Sequence, residues 1–134
     1  QAAMTDAVRS RIMRAVKSRD TGPEKAVRSL AHRMGYRFRL HRADLPGKPD
    51  LTFPGRRAVV FVHGCFWHGH NCKRGARTPK TNVEYWTTKI GRNVARDREH
   101  ILALKRRGWR AFVVWECQLR DEAELRRKLR RFLG

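Results

Sequence analysis

Apolar positions change their period along the chain, and each change marks an element. From Thr5 to Arg19, Val8, Ile12, Ala15 and Val16 fall at helical spacing among Arg9, Arg11, Arg14, Lys17 and Arg19, which predicts a short basic amphipathic helix or a basic arm. Thr21 with Glu24 forms a capping-box pattern; Val27, Leu30, Ala31 and Met34 continue as a helical stripe, and Gly35 ends it. Between Tyr36 and His41 the pattern turns to strict alternation, Tyr36, Phe38 and Leu40 against Arg37, Arg39 and His41, as in a half-buried strand. A Pro46-Gly47 turn leads to a strand over Asp50 to Phe53. A Pro54-Gly55 turn then joins it to the unbroken apolar run Ala58 to Val62, which reads as a central strand.

Thr81 and Glu84 repeat the capping-box pattern and open a long helix with apolar positions Trp86, Ile90, Val94, Ile101 and Leu104, ending near Arg107 with Gly108 as the stop. Arg110 to Trp115 is a last apolar strand, and Asp121 to Leu133 a closing helix with the stripe Leu125, Leu129, Phe132 and Leu133. The order is helix, helix, three strands, helix, strand, helix. An α/β fold with a mixed sheet flanked by helices packs these elements most simply.

With 134 residues the chain suffices for one core and shows no repeat or linker, so residues 21–134 are expected to form a single domain, preceded over 1–20 by the basic arm. Charge adds the first functional information. Against 32 Lys and Arg stand 12 Asp and Glu, a formal net charge of +20 spread over every segment. Nucleic acid fits that balance, because lysine and arginine neutralise phosphates and release condensed counterions. No segment has a membrane span's apolar length and no signal-peptide pattern opens the chain, so a soluble cytoplasmic protein is expected, nucleoid-associated if nucleic acid is its partner. Cys65, Cys72 and Cys117 cannot all pair within one molecule, which favours reduced or metal-bound thiols.

The stretch "VHGCFWHGHNC", Val62 to Cys72, concentrates the candidate chemistry. Zinc takes four sulfur or nitrogen ligands, and Cys65, His70 and Cys72 could supply three from one loop. If the last strand neighbours Ala58 to Val62, Cys117 just beyond it comes beside the loop as a fourth. Unrelated buried thiols and a solvated histidine are the alternative. His63 and His68 are then left for another task. Asp50, at the start of a strand whose antiparallel neighbour ends at His63, is either a turn residue after Pro49 or a carboxylate placed for Mg²⁺.

Four stretches, "LPGKPDLTF", "VVFVHGCFWHGHNC", "EYWTTKIGRNVARDREH" and "GWRAFVVWECQL", together resemble the very short patch repair (Vsr) endonucleases, which nick DNA at thymine-guanine mismatches; the likeness runs from about Met13 to Leu119. It implies a restriction-endonuclease-like fold, a structural zinc on Cys65, His70, Cys72 and Cys117, and Mg²⁺-dependent hydrolysis on the 5′ side of the mismatched thymine. By motif position, Asp50 corresponds to the magnesium-binding aspartate, and Val62 to the residue lending magnesium its backbone carbonyl. His68 corresponds to the histidine that activates water, His63 to a second histidine near the phosphate, and Glu24 to a carboxylate supporting His68. Phe66, Trp67 and Trp86 match aromatic residues that wedge into the duplex, Met13 one that approaches from the minor groove, and Lys89 and Asn93 residues that contact the mispair.

Simpler readings stand beside these. Glu24 also completes a capping box, Trp86 lies on the apolar stripe of its helix, and Met13 could be core. Lys89 and Asn93 could sit on a solvated face with Asp97 paired to an arginine. Two departures from the family are Val62, where threonine is expected, and Gly69, where a histidine-richer run is familiar and glycine is expected only to loosen the loop. The implied partner is mismatched double-stranded DNA, bound by a monomer, with other mismatch-repair proteins as candidate partners. The alternative function is a zinc-stabilised DNA-binding module without catalysis. A zinc hydrolase is weaker, since four protein ligands close the metal to water.

Overall fold

The computed structural model describes residues 22–66, 68–70, 72 and 81–134; the expected basic helix with Met13, the cap Thr21 and Trp67 lie outside the described residues. Chain order is α1 (Gly22–Arg33), β1 (Arg39–Leu40), β2 (Leu51–Phe53), a 3-10 turn (Pro54–Arg56), β3 (Ala58–His63), α2 (Val83–Arg106), β4 (Arg110–Trp115), a second 3-10 turn (Glu116–Arg120) and α3 (Glu122–Leu133). The strands form one sheet in the order β1-β2-β3-β4. β1-β2 and β2-β3 pair antiparallel, and β3-β4 pair parallel in a register from Ala58↔Arg110 to His63↔Trp115.

Period-two alternation along β3 splits the core into two layers. Val60 joins Leu51, Phe53 and Val114 under α1 (Val27, Leu30, Ala31) and α3 (Leu125, Leu129, Leu133). Val59 and Phe61 face the other way, against Leu45 and Leu104 of α2, with Ile101 and Trp109 beside them. The expected helix-flanked mixed sheet is present, and among the described residues no helix is long and apolar enough to cross a membrane.

Local expectations change at two places. The strand expected over Tyr36 to His41 pairs at Arg39 and Leu40, with one further backbone bond from His41 N to Asp50 O at 3.4 Å. β2 lies between Pro49 and Pro54, and proline has no N–H to extend the ladder. Tyr36 and Phe38 still pack edge-on against Phe53. Thr81 does not cap α2: Asn82 precedes Val83 in the left-handed region, φ 52°, with no side-chain cap, and the carbonyl of Asn82 accepts from Trp86 N at 3.1 Å. Asn tolerates that conformation better than most residues, and it moves Thr81 a step too far from the helix amides.

Candidate active site and metal centre

β2 begins where β3 ends, so the antiparallel pairing brings Asp50 to the last turn of the β3 ladder. Val62 N donates to Asp50 Oδ2 at 2.6 Å. Buried Glu24 of α1 stands on the other side; its Oε2 lies 3.2 Å from Arg28 Nη2 and 3.5 Å from His41 Nε2. Burial pushes the Asp50 carboxyl up to about 7, Glu24 adds to the rise, and the Val62 N–H opposes it. Arg28 already sets one positive charge against this pair and opposes the rise of Asp50, and the carboxylate oxygens could in addition hold a hard divalent ion. Glu24, His41 and Asp50 each offer a ligand atom within 4.8 Å of the others. Sequence pattern does not single out His41, which reads as the polar face of a strand; its backbone instead turns left-handed at φ 49°.

One residue past Val62, His63 ends β3 and stacks on His68, ring centroids 3.9 Å apart and planes 4° from parallel. His68 Nδ1 meets Asp97 Oδ2 at 2.6 Å, and His63 Nδ1 lies 3.9 Å from the same oxygen. This corrects the pairing implied by the family likeness: the carboxylate on His68 is Asp97 of α2, whereas Glu24 belongs to the Asp50 side. It equally corrects the alternative that gave Asp97 an arginine. An ionised carboxylate only accepts, so His68 carries its hydrogen on Nδ1 and presents Nε2 as a free base. Burial, and then the repulsion that a second proton would meet across the His63-His68 stack, push the His63 imidazole down to about 4, which keeps it neutral near pH 7; Asp97 opposes the fall. A sequence signal for Asp97 does exist: Lys89, Asn93 and Asp97 recur every four residues on one row of α2.

The loop after His63 returns to the sheet at the sulfur cluster. Parallel pairing of β3 and β4 sets Cys117 beside the loop, its N donating to Cys65 Sγ at 3.4 Å and its Sγ 3.6 Å from His70 Nδ1. Cys65, His70, Cys72 and Cys117 bring their ligand atoms within 4.8 Å of one another. Tetrahedral zinc with bonds of about 2.0–2.3 Å fits such a set. Burial, with the neighbouring thiols adding to it, pushes the Cys65 thiol up to about 12. Trp115 lies between the two clusters, 4.2 Å from the His70 ring in a stack and 5.2 Å from His63 edge-on.

Gly69 seats this loop on α2, contrary to the expectation that it merely loosens the chain. At φ +65° a Cβ would stand 2.8 Å from Val94 Cγ2 and 3.2 Å from Ile90 Cγ2. The half-buried positions of the first part of α2 thus receive the loop rather than the sheet. Gly69→Ala is expected to cost about 1–3 kcal/mol of stability through left-handed strain and overpacking. Urea unfolding measures it, and an unshifted midpoint would mean that the loop is not held against Val94.

Phe66 and Trp86 meet edge-on at 6.0 Å, and Tyr85 touches Trp86 at 4.9 Å. Both Phe66 and Trp86 are half-buried, so neither is pure core. Lys89 and Asn93 are half-buried as well, and Lys89 lines an open cavity of about 650 Å³ with Asn82, Glu84, Tyr85, Thr88 and Arg92.

A family model described as DNA mismatch endonuclease Vsr matches residues 2–74. The chain is 57% identical over 122 residues to the type II nicking enzyme V.XorIIP of Xanthomonas oryzae pv. oryzae, across 91% of this chain and 89% of that one. To the DNA mismatch endonuclease Vsr of Escherichia coli it is 48% identical over 119 residues, across 89% and 76%. In fold it is similar to the homing endonuclease I-Bth0305I catalytic domain, with a TM-score of 0.57 and 17% identity over 84% of this chain and 94% of that one. Likeness at that level over most of the chain settles its kinship, and the chain belongs to the Vsr family of DNA mismatch endonucleases and related nicking enzymes.

Proposed function

We propose that this protein nicks one strand of duplex DNA by Mg²⁺-dependent hydrolysis of the phosphodiester 5′ of the thymine in a thymine-guanine mispair. The observation that carries this reading is the junction at the end of β3, where adjacent residues serve two groups: Val62 binds Asp50, and His63 stacks on the His68-Asp97 pair. A binding module has no need of a raised carboxylate beside a base held in one tautomer.

Asp50 and the Val62 carbonyl would hold Mg²⁺, with Glu24 next to them. When bound, the ion supplies positive charge against the phosphate. His68 takes the proton of the attacking water at Nε2, and Asp97 stabilises the imidazolium that results. Neutral His63 packs against His68, limits its rotation and stands near the scissile phosphate. Zinc on Cys65, His70, Cys72 and Cys117 braces the loop and takes no part in hydrolysis.

Phe66, Trp67 and Trp86 wedge beside the mispair, where unstacking costs less than in matched duplex. Met13 approaches from the minor groove, within a basic arm over residues 1–20, and Lys89 and Asn93 contact the mispaired bases. The restriction-endonuclease-like domain over 21–134 acts as a cytoplasmic monomer. Nicking of labelled duplexes bearing each mismatch in several sequence contexts tests the substrate. Cleavage confined to thymine-guanine, 5′ of the thymine, is expected. Equal cleavage of every mismatch overturns that specificity, and binding with no cleavage returns the protein to the non-catalytic module.

A further inference from the structure

Helix α3 buries Leu125, Leu129 and Leu133, and from Arg126 to Arg131 every position except Leu129 is an exposed cation: Arg126, Arg127, Lys128, Arg130 and Arg131. Folding accounts for only part of them: Arg127 pairs with Glu124 and Arg130 lies over the Tyr36 ring, whereas Arg126, Lys128 and Arg131 have no such contact among the described residues. Arg126 with Arg130, and Arg127 with Arg131, are like charges one turn apart, a spacing that weakens a helix. The helix dipole favours Arg130 and Arg131 in the last turn but gives nothing to cations further back. Glu122 and Glu124 are engaged by Arg33 and Arg127.

The basic surface continues past the end of α3. Arg130 and Arg56 both lie over the Tyr36 ring, at 5.6 and 5.0 Å, and Arg110 lies over Phe132 at 4.8 Å. Arg56 Nε donates to Leu133 O at 2.9 Å and Arg110 Nη1 to Phe132 O at 2.5 Å. Guanidiniums pinned in this way lose little freedom on meeting an anion. They stand at the Ala58↔Arg110 end of the sheet, whereas the candidate active site is at the His63↔Trp115 end. That separation is roughly 16 Å at about 3.3 Å per strand residue. α3 also covers the sheet face opposite α2.

We propose that the outer side of α3, continued by Arg56 and Arg110, is a second duplex-binding surface that takes the DNA phosphate backbone without regard to sequence. Its 12 residues span about 18 Å, the rise of about five base pairs. The like-charge repulsion within the helix is relieved when phosphates lie against it. The surface needs neither divalent cation nor mispair, so it stands apart from the roles assigned to Asp50 and His68 and can hold the protein on matched DNA.

The test uses the full chain and a labelled matched duplex in EDTA, with affinity followed over a range of NaCl concentrations. The triple variant Arg126→Gln, Lys128→Gln, Arg131→Gln is compared with a charge-matched control, Lys25→Gln, Lys105→Gln, Arg106→Gln, at positions that are also exposed. Losing contacts on α3 should lower the salt slope of log K by about 2–3, against less than about 1 for the control. Turnover on saturating mispaired duplex should stay at the parent level in both. Equal losses in the two triples would reduce the effect to overall charge and overturn the proposal. No loss in the α3 triple would also overturn it, and would point to a different anionic partner such as an acidic protein. If the triple melts early, Lys128→Gln and Arg131→Gln taken singly decide the same question, each expected to remove about one unit of slope.

Discussion

Asp50→Asn is expected to lower nicking of a mispaired duplex by roughly a thousandfold or more, with little change in duplex binding. A metal ion that stabilises charge on a transferring phosphoryl group supplies several kcal/mol, and each tenfold in rate is about 1.4 kcal/mol. Asn keeps the shape of Asp50 and an oxygen for the Val62 N–H, so the loss reports charge rather than collapse. Gel assays with and without Mg²⁺ measure it, and cleavage unchanged by the substitution would remove Asp50 from the cation site.

In metal-free protein the same substitution should stabilise. The carboxyl is raised from 3.8 to about 7 in the folded state, so its contribution is fully present below about pH 4 and lost as pH rises through about 7. Measured in EDTA, Asp50→Asn should therefore gain on the parent by about 1 kcal/mol between pH 6.5 and pH 8. His63 has the opposite sign: lowered from 6.5 to about 4, it gives stability present above about pH 6.5 and lost as pH falls through about 4. Comparing variant with parent cancels that term, and a difference that stays flat with pH would contradict the raised carboxyl.

One zinc per chain is expected in purified, unchelated protein, and Cys65→Ala should abolish it. Nicking should fall with the metal by at least about a hundredfold, because the cluster anchors the loop that carries His68 against Asp97, and loss of that alignment removes much of general-base catalysis, worth about 10²–10⁴. Zinc must displace protons from thiols, of which Cys65 is pushed up to about 12. Affinity should accordingly weaken by up to about tenfold per pH unit for each thiol as pH falls. Elemental analysis and competition with a chelator at several pH values check both statements. Protein that holds no zinc yet nicks at full rate would leave Cys65 as a buried core thiol.

Elements with a sustained period were legible from sequence. Val27, Leu30 and Ala31, the run Ala58 to Phe61, and Leu125, Leu129 and Leu133 all fall in the core where their spacing puts them, with Val62 and Phe132 partly buried at its margin. So was the place of Cys117, because a strand pairing beside Ala58 to Val62 carries it to the loop. What escaped depended on contacts between distant segments. His68 finds Asp97 29 residues away, on a helix row that local pattern assigns to solvent. Glu24 could be recognised as unusual, but which histidine it serves is decided by how α1 lies across the β2 entrance. Gly69 shows the same limit at short range: glycine marks a bend, and only the packed position of Val94 makes it a close approach.

The parallel pairing of β3 with β4 also sets a schedule for the growing chain. Cys65 and Cys117 are 52 residues apart, and the β4 residues that place Cys117 lie beyond the whole of α2. Closing a loop of that length costs about 3 kcal/mol or more of chain entropy before any contact is gained. A chain emerging from the ribosome can form α1 and the β2-β3 hairpin early, with Asp50 and His63 already translated, yet the loop bearing His68 has no sulfur anchor until synthesis has passed Cys117. Such a nuclease is made unarmed, and its cutting geometry waits on Cys117, 52 residues downstream of Cys65.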